Sequence, residues 1–359
     1  MNMQEKDVLI EAHRARWKTF WGWLAFGAAL LAAEAMLVWA VAAGYFLLAI
    51  PLILLVAHLM HSHLLAFHEA AHGVLCPNWY VNELIGVLIG KIHFNGLSLF
   101  RAVHHSHHAH LGTEKDEQLW PFVRPGTARW RRRLAAACEL SLGIVFDAVQ
   151  FWRAFLRKNS DIQVPSVRRR IWIELGMTLT FWSMVLAATA WWGAWKWLLV
   201  LYVFPAVIAG NMHSLRKYIE HMGMTGTTVL GLTRTVVPGK PLDRFLAFTL
   251  YNVSFHSVHH YYARMPQASL PSFLPALTPQ APEEETIYPS YWRAFRAMLP
   301  TLADPKVGAQ WIAPPHAPLN VLPSNSTATQ AVAAATAAAA PTGTLVGSGA
   351  DRSAEAGRS

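Results

Sequence analysis

Four apolar stretches dominate the chain, at residues 20–40, 45–66, 171–191 and 197–212. A helix needs about 20 mostly apolar residues to cross the hydrocarbon core of a bilayer. Within that core each backbone polar group must bond inside its own element, which leaves helices as the spanning form for runs like these. Composition agrees: 53% of the 359 residues are hydrophobic and 14% are charged, against roughly a quarter charged in soluble domains. The connectors at residues 41–44 and 192–196 are short and pair the stretches. The expected fold is therefore an all-α membrane protein with about four transmembrane helices in two hairpins. The N-terminal run is long and lacks a clear small-residue cleavage site, so it reads as a span rather than a signal peptide. Cys76 and Cys138 are the only cysteines and make neither a disulfide framework nor a thiolate metal site.

Arginine and lysine orient the spans. Four precede residue 20, 14 lie between residues 67 and 170, and 11 follow residue 212, whereas the connectors hold only Lys196. Positive loops remain in the cytoplasm, so both termini and the long central segment are expected there, forming a helical cap. The formal charge of +9 is accounted for by this asymmetry, and no basic-aromatic motif points to nucleic acid. Residues 125–158 mix Arg131, Arg132 and Arg133 with Leu134, Leu140, Ile144 and Phe151, as an amphipathic helix on the membrane surface would. Trp191, Trp192, Trp195 and Trp197 suit an interfacial aromatic belt. The expected organisation is a cytoplasmic N-terminal segment at 1–19, a membrane domain at 20–312 and a disordered Pro/Ala/Ser/Thr-rich tail at 313–359.

The 18 histidines are clustered. His68 and His72 are four apart at the end of the second stretch. His104, His107 and His108 follow as His-x-x-His-His, and His256, His259 and His260 repeat that spacing; His221 follows the fourth stretch. Residues three and four apart share one helix face, so each triplet offers three ring nitrogens to one side. Neutral imidazole ligates iron, zinc, copper and nickel. At this histidine frequency two such triplets arise by chance with a probability on the order of 0.001. Nine imidazoles are too many for one ion, and two ions are the natural count. All the clusters fall on one side of the membrane in an orientation derived without using histidine.

His68-Glu-Ala-Ala-His72 also spells the zinc-protease pattern, with Glu69 as general base. Intramembrane zinc proteases take a further ligand from a Leu-Asp-Gly element, whereas Leu242 and Asp243 are followed here by Arg244. That reading leaves seven clustered histidines unused.

Three stretches carry a resemblance. Phe-His-Glu-Ala-Ala-His-Gly occupies residues 67–73. Arg-Ala-Val-His-His-Ser-His-His occupies 101–108, followed by Gly112, Thr113 and Asp116. Asn-Val-Ser-Phe-His-Ser-Val-His-His occupies 252–260, followed by Pro266, Leu270 and Pro271. The chain resembles the membrane fatty acid desaturase superfamily, which includes hydroxylases and carotenoid ketolases, and the Tyr-Ile-Glu-His-Met-Gly stretch ending at Gly223 is similar to an element of alkane hydroxylases. The resemblance implies two iron ions held by His68, His72, His104, His107, His108, His221, His256, His259 and His260, with O2 as co-substrate. It implies a lipid or other long apolar substrate that is desaturated, or alternatively hydroxylated or ketolated. No fused cytochrome b5 region is apparent, so an external electron donor of ferredoxin, rubredoxin or cytochrome b5 type is expected. Metal-bound imidazoles commonly give their outer N–H to a carboxylate or carbonyl. Glu69, Asp116 and Glu220 are the candidates for that role, with Arg101 and Asn252 for orienting contacts.

Overall fold

The computed structural model describes residues 10–312; residues 1–9 and the expected disordered tail at 313–359 lie outside the described residues. The chain opens with a helical hairpin, α1 (Trp17–Ala42) and α2 (Phe46–His72). Gly44 at φ 80° supplies the left-handed residue of the tight turn between them, where a side chain would be strained. At about 1.5 Å per residue, 27 residues extend about 40 Å, more than the apolar core requires. The surplus carries His68 and His72 on the last two turns of α2, past the end of the apolar stretch.

Next come two shorter helices, α3 (Trp79–Ile92) and α4 (Leu97–Ala109), bent by 99° to one another at a four-residue break. Neither is long enough to cross alone; together they are apolar enough for a broken span or a re-entrant loop, which the sequence pattern did not mark. Irregular backbone survives at membrane depth only where protein satisfies its polar groups. Here Trp182 Nε1 donates to the Lys91 carbonyl at 2.9 Å, and the Tyr202 hydroxyl donates to that of Ile92. The N-terminus of α4 is capped from another helix: Glu174 accepts from Ser98 N at 2.8 Å and from Ser98 Oγ at 2.6 Å. A carboxylate there satisfies orphan donors and complements the helix dipole.

Residues 125–158, expected as one surface helix, form two, α5 (Arg129–Ser141) and α6 (Gly143–Leu156). The break has a packing cause. A Cβ on Gly143 would lie 2.3 Å from Ser214 Oγ and 2.5 Å from the Gly210 carbonyl, so α6 starts in direct contact with a transmembrane helix, and Phe151 and Phe155 bury their rings in the core. Arg132, expected among exposed basic residues, is buried. It donates to the Pro305 carbonyl and to Asp304, both at 2.8 Å, and stacks on Trp311.

The second hairpin is α7 (Pro165–Trp191) and α8 (Trp195–His221). Leu199–Val203 in α8 is π-helical just before Pro205; proline has no N–H and its ring crowds the preceding turn. With α1 and α2 these make the four helices long and apolar enough to span, as expected, though α2 and α8 run past the predicted ends. Leu31, Leu47, Leu179 and Met184 stand exposed on them, as lipid-facing residues do, and so do Trp191, Trp192 and Trp195 at the second turn. Beyond α8 lie α9 (Pro241–Thr249), α10 (His256–Tyr261) and α11 (Tyr291–Met298), with a two-residue parallel pair, β1 (Thr235–Val236) and β2 (Ile287–Tyr288). Phe122, Tyr218, Met222, Val236 and Met298 form the core of this end.

Candidate metal centre

Four elements bring the histidines together. α2 stops at Gly73, left-handed at φ 75°, whose N–H returns to the Ala70 carbonyl at 3.1 Å. Arg101 on α4 then donates to the Ala71 and Ala70 carbonyls at 2.8 and 3.0 Å and pairs with Glu83. The last carbonyls of α2 are thus satisfied by the helix that carries the first triplet, which locks the two histidine faces in register. α10 is aimed by Tyr251 and Asn252, both left-handed at φ 55° and 54°. Two successive non-glycine residues there store strain of the kind found at functional sites. Asn252 also donates weakly to the Gln267 carbonyl, at 3.4 Å.

Two groups of donors result. His68, His72, His104, His108 and His259 form one; His107, His221 and His260 form the second, which His256 joins through His221 and Glu220. All nine sequence-predicted histidines are in them. Within the first, Nε2 of His104 is 3.0 Å from that of His72 and 3.1 Å from that of His108. Within the second, Nε2 of His256 is 2.8 Å from that of His221 and 3.1 Å from that of His260. At metal–nitrogen bonds of about 2.1 Å, neighbouring corners of an octahedron lie about 3.0 Å apart. Both ring nitrogens of His259 are buried without a hydrogen-bond partner among the described residues, an arrangement that costs free energy unless something else binds them. Burial, the largest cause, and neighbouring imidazoles hold His256, His259 and His260 well below their usual pKa, hence neutral and able to ligate. The donor set fits a pair of transition-metal ions.

The outer ring nitrogens have partners on four of the nine. Asp116 Oδ2 accepts from His107 Nδ1 at 2.9 Å, the contact expected of it. Its other partners are backbone N–H groups: Gly112 at 3.0 Å on Oδ2, Gln118 and Leu119 at 3.2 Å on Oδ1. Burial pushes this carboxyl up to about 7 against those hydrogen bonds. His104 Nδ1 meets Gln118 Oε1 at 2.8 Å, His221 Nδ1 meets the Leu232 carbonyl at 3.1 Å, and His68 Nδ1 lies 3.4 Å from Gln267 Nε2. The sequence reading missed Gln118, Leu232 and Gln267, which share no spacing with the histidines.

Glu69 and Glu220 are placed otherwise than expected. Glu69 Oε2 accepts from Gln267 N at 3.1 Å, and its Oε1 lies 3.9 Å from His68 Nδ1, so it ties α2 to the segment after α10 more closely than it backs an imidazole. Glu220 faces the inner nitrogen of His256, with Oε2 3.5 Å from Nε2, and Arg216 Nη1 holds its two oxygens at 2.6 and 2.5 Å.

A pocket adjoins the centre. Phe67, Phe100, Ile144 and Phe151 line it together with His93, Asn95, Asp147, His213 and Lys217. It shares Phe100, Gln118, His213 and Lys217 with the space between the histidines. Lys217 is buried and pairs with Asp147 at 3.0 Å and with Glu139. His105 and His110 lie outside both donor groups, as do His58, His61 and His63.

The pattern of the fatty acid desaturase family matches residues 45–292, well over half the chain and every histidine of both groups. No curated protein matches the chain. The two histidine groups assembled from α2, α4, α8 and α10 and the matched pattern agree: the chain belongs to the fatty acid desaturase family.

Proposed function

We propose that the protein is a di-iron oxygenase that desaturates a fatty acyl or related lipid chain. The observation that supports this most directly is the convergence of nine imidazoles in two groups, six of them with inner nitrogens 2.8–3.1 Å from a neighbour's, beside a pocket walled in part by Phe67, Phe100 and Phe151. Iron bound there supplies the redox chemistry for activating O2 against an unactivated C–H bond. Balance requires two electrons and two protons from outside for each O2 reduced to water as a double bond forms, and the external donor named above would supply the electrons. The histidine end of the bundle faces the cytoplasm on the charge distribution, within reach of such a donor.

The rest falls to this chain's own side chains. Asp116 holds His107 with its outer nitrogen protonated, leaving the inner one free to bind. Gln118 and the Leu232 carbonyl do the same for His104 and His221. Phe100 stacks on the His104 ring, with centroids 5.1 Å apart, and closes the wall between pocket and centre. Phe67 and Phe151 give the adjoining pocket an apolar wall for a methylene chain, in a lining they share with the buried Lys217–Asp147 pair. A hydroxylase or carotenoid-type ketolase would use the same scaffold, because the outcome depends on sub-ångström placement of the substrate. The zinc-protease alternative would use His68 and His72 alone, whereas both belong to a group of five imidazoles.

Lipid profiling of a host expressing the protein, beside one expressing His107→Ala, tests the reaction. A new double bond seen only with the wild-type chain supports desaturation, a new alcohol or carbonyl reassigns the reaction, and no change in any lipid or carotenoid removes the assignment. Two iron ions per purified chain are expected; one zinc ion would favour the protease.

A further inference from the structure

We propose that Glu220 is a direct carboxylate ligand of the second metal position, so that five imidazoles hold one ion while four imidazoles and a carboxylate hold the other. The inference rests on the di-iron reading above and concerns a residue whose ordinary role would be to back an imidazole from behind.

The geometry argues against that ordinary role. A backing carboxylate accepts the outer N–H of a ligating ring. The outer nitrogen of His221 is already committed to the Leu232 carbonyl, and that of His256 is buried without a partner among the described residues. Glu220 instead presents Oε2 to Nε2 of His256 at 3.5 Å. That same nitrogen is 2.8 Å from His221 Nε2 and 3.1 Å from His260 Nε2. The carboxylate thus joins the inner nitrogens, and Glu220, His221 and His256 form a donor group of their own.

The surroundings suit a ligand. Glu220 is 3% exposed, and a buried carboxylate needs a cation beside it. Arg216, one turn earlier on α8, contacts both oxygens through a single nitrogen at 2.6 and 2.5 Å. Ligating carboxylates are characteristically held by a hydrogen-bond donor of this kind. Among the described residues no carboxylate belongs to the first donor group. One position is thereby neutral in its ligands and the other anionic, which makes the two ions inequivalent. The competing account is that Glu220 serves only as the counter-ion of buried Arg216.

The test uses the full chain purified in detergent, loaded with ferrous iron under anaerobic conditions and titrated with a competing chelator. The variants are Glu220→Gln, Glu220→Asp and the double Arg216→Gln/Glu220→Gln, which removes the buried charge pair as a unit. The expected result in each is an unchanged first ion and a second ion held about 10–100-fold more weakly, with one of two iron quadrupole doublets altered. A double variant that keeps two ions at wild-type affinity and an unaltered spectrum overturns the proposal. A measurement on the wild-type chain needs no variant: with 13C-labelled glutamate, an infrared difference between iron-loaded and iron-free protein must show a carboxylate stretch that shifts on loading, and its absence also overturns the proposal. A wild-type chain that binds fewer than two ions sinks the di-iron reading itself; two ions in the wild type with no carboxylate shift sink only the role of Glu220.

Discussion

Asp116→Asn changes one atom at the best-connected carboxylate of the centre, and its consequence can be worked out contact by contact. Asp116 is fully buried, and its oxygens accept from four donors: His107 Nδ1 and Gly112 N on Oδ2, Gln118 N and Leu119 N on Oδ1. An amide has one acceptor end. If its oxygen faces His107, its NH2 meets two backbone N–H groups. If its oxygen faces Gln118 and Leu119, its NH2 meets the Gly112 N–H alone, and His107 relieves the remaining conflict by moving its proton. The second arrangement leaves one fewer donor unsatisfied, an advantage of about 1–3 kcal/mol. In it His107 carries its proton on Nε2, the nitrogen that faces the second donor group, and cannot ligate in that form. The expected result is a loss of about 10–100-fold in affinity at one of two metal positions, equivalent to about 1.4–2.7 kcal/mol, with the other position unchanged. Stepwise chelator competition on iron-loaded protein measures it, and Asp116→Glu should lose less. Two ions bound as tightly as in the wild type would refute the tautomer argument and leave Asp116 as no more than the cap of the turn after α4.

Other perturbations probe the scaffold and the metals. Glu174→Ala leaves the buried Ser98 N and Ser98 Oγ without their acceptor, at about 1–3 kcal/mol each; the melting temperature in detergent should fall clearly, and Glu174→Gln should fall less. Gly143→Val drives a side chain into Ser214 and the Gly210 backbone and should cost at least about 1–3 kcal/mol. The control is Gly176→Ala, where a new Cβ meets nothing within 4 Å and a helix interior gains about 0.5–1 kcal/mol; equal melting points for the two variants would contradict the close α6–α8 contact. Stripping metal with a chelator should lower the melting point, because a ligand present at 100 times its Kd adds about 2.7 kcal/mol, whereas identical melting curves with and without iron would count against the centre as a metal site.

What the sequence disclosed and what it hid divide along a physical line. A spacing of three and four residues keeps its meaning wherever a helix forms, so His104, His107 and His108 had to share a face whatever their neighbours. The same holds for His68 and His72, and long apolar runs announce spanning helices in the same local way. The bent pair α3 and α4 carries no such local mark. Its helices have 14 and 13 residues, and its polar tip is tolerable only because Trp182 and Tyr202 from the second hairpin satisfy the Lys91 and Ile92 carbonyls and Glu174 caps Ser98. Those partners lie about 75 to 110 residues away along the chain, beyond any window of periodicity. Glu220 shows both sides of the line. Its pairing with Arg216 four residues earlier is a helix spacing that was open to reading. Whether its free edge points outward to back an imidazole or inward to join one depends on where α10 delivers His256, and the strained turn at Tyr251 and Asn252 that aims α10 is a product of tertiary packing.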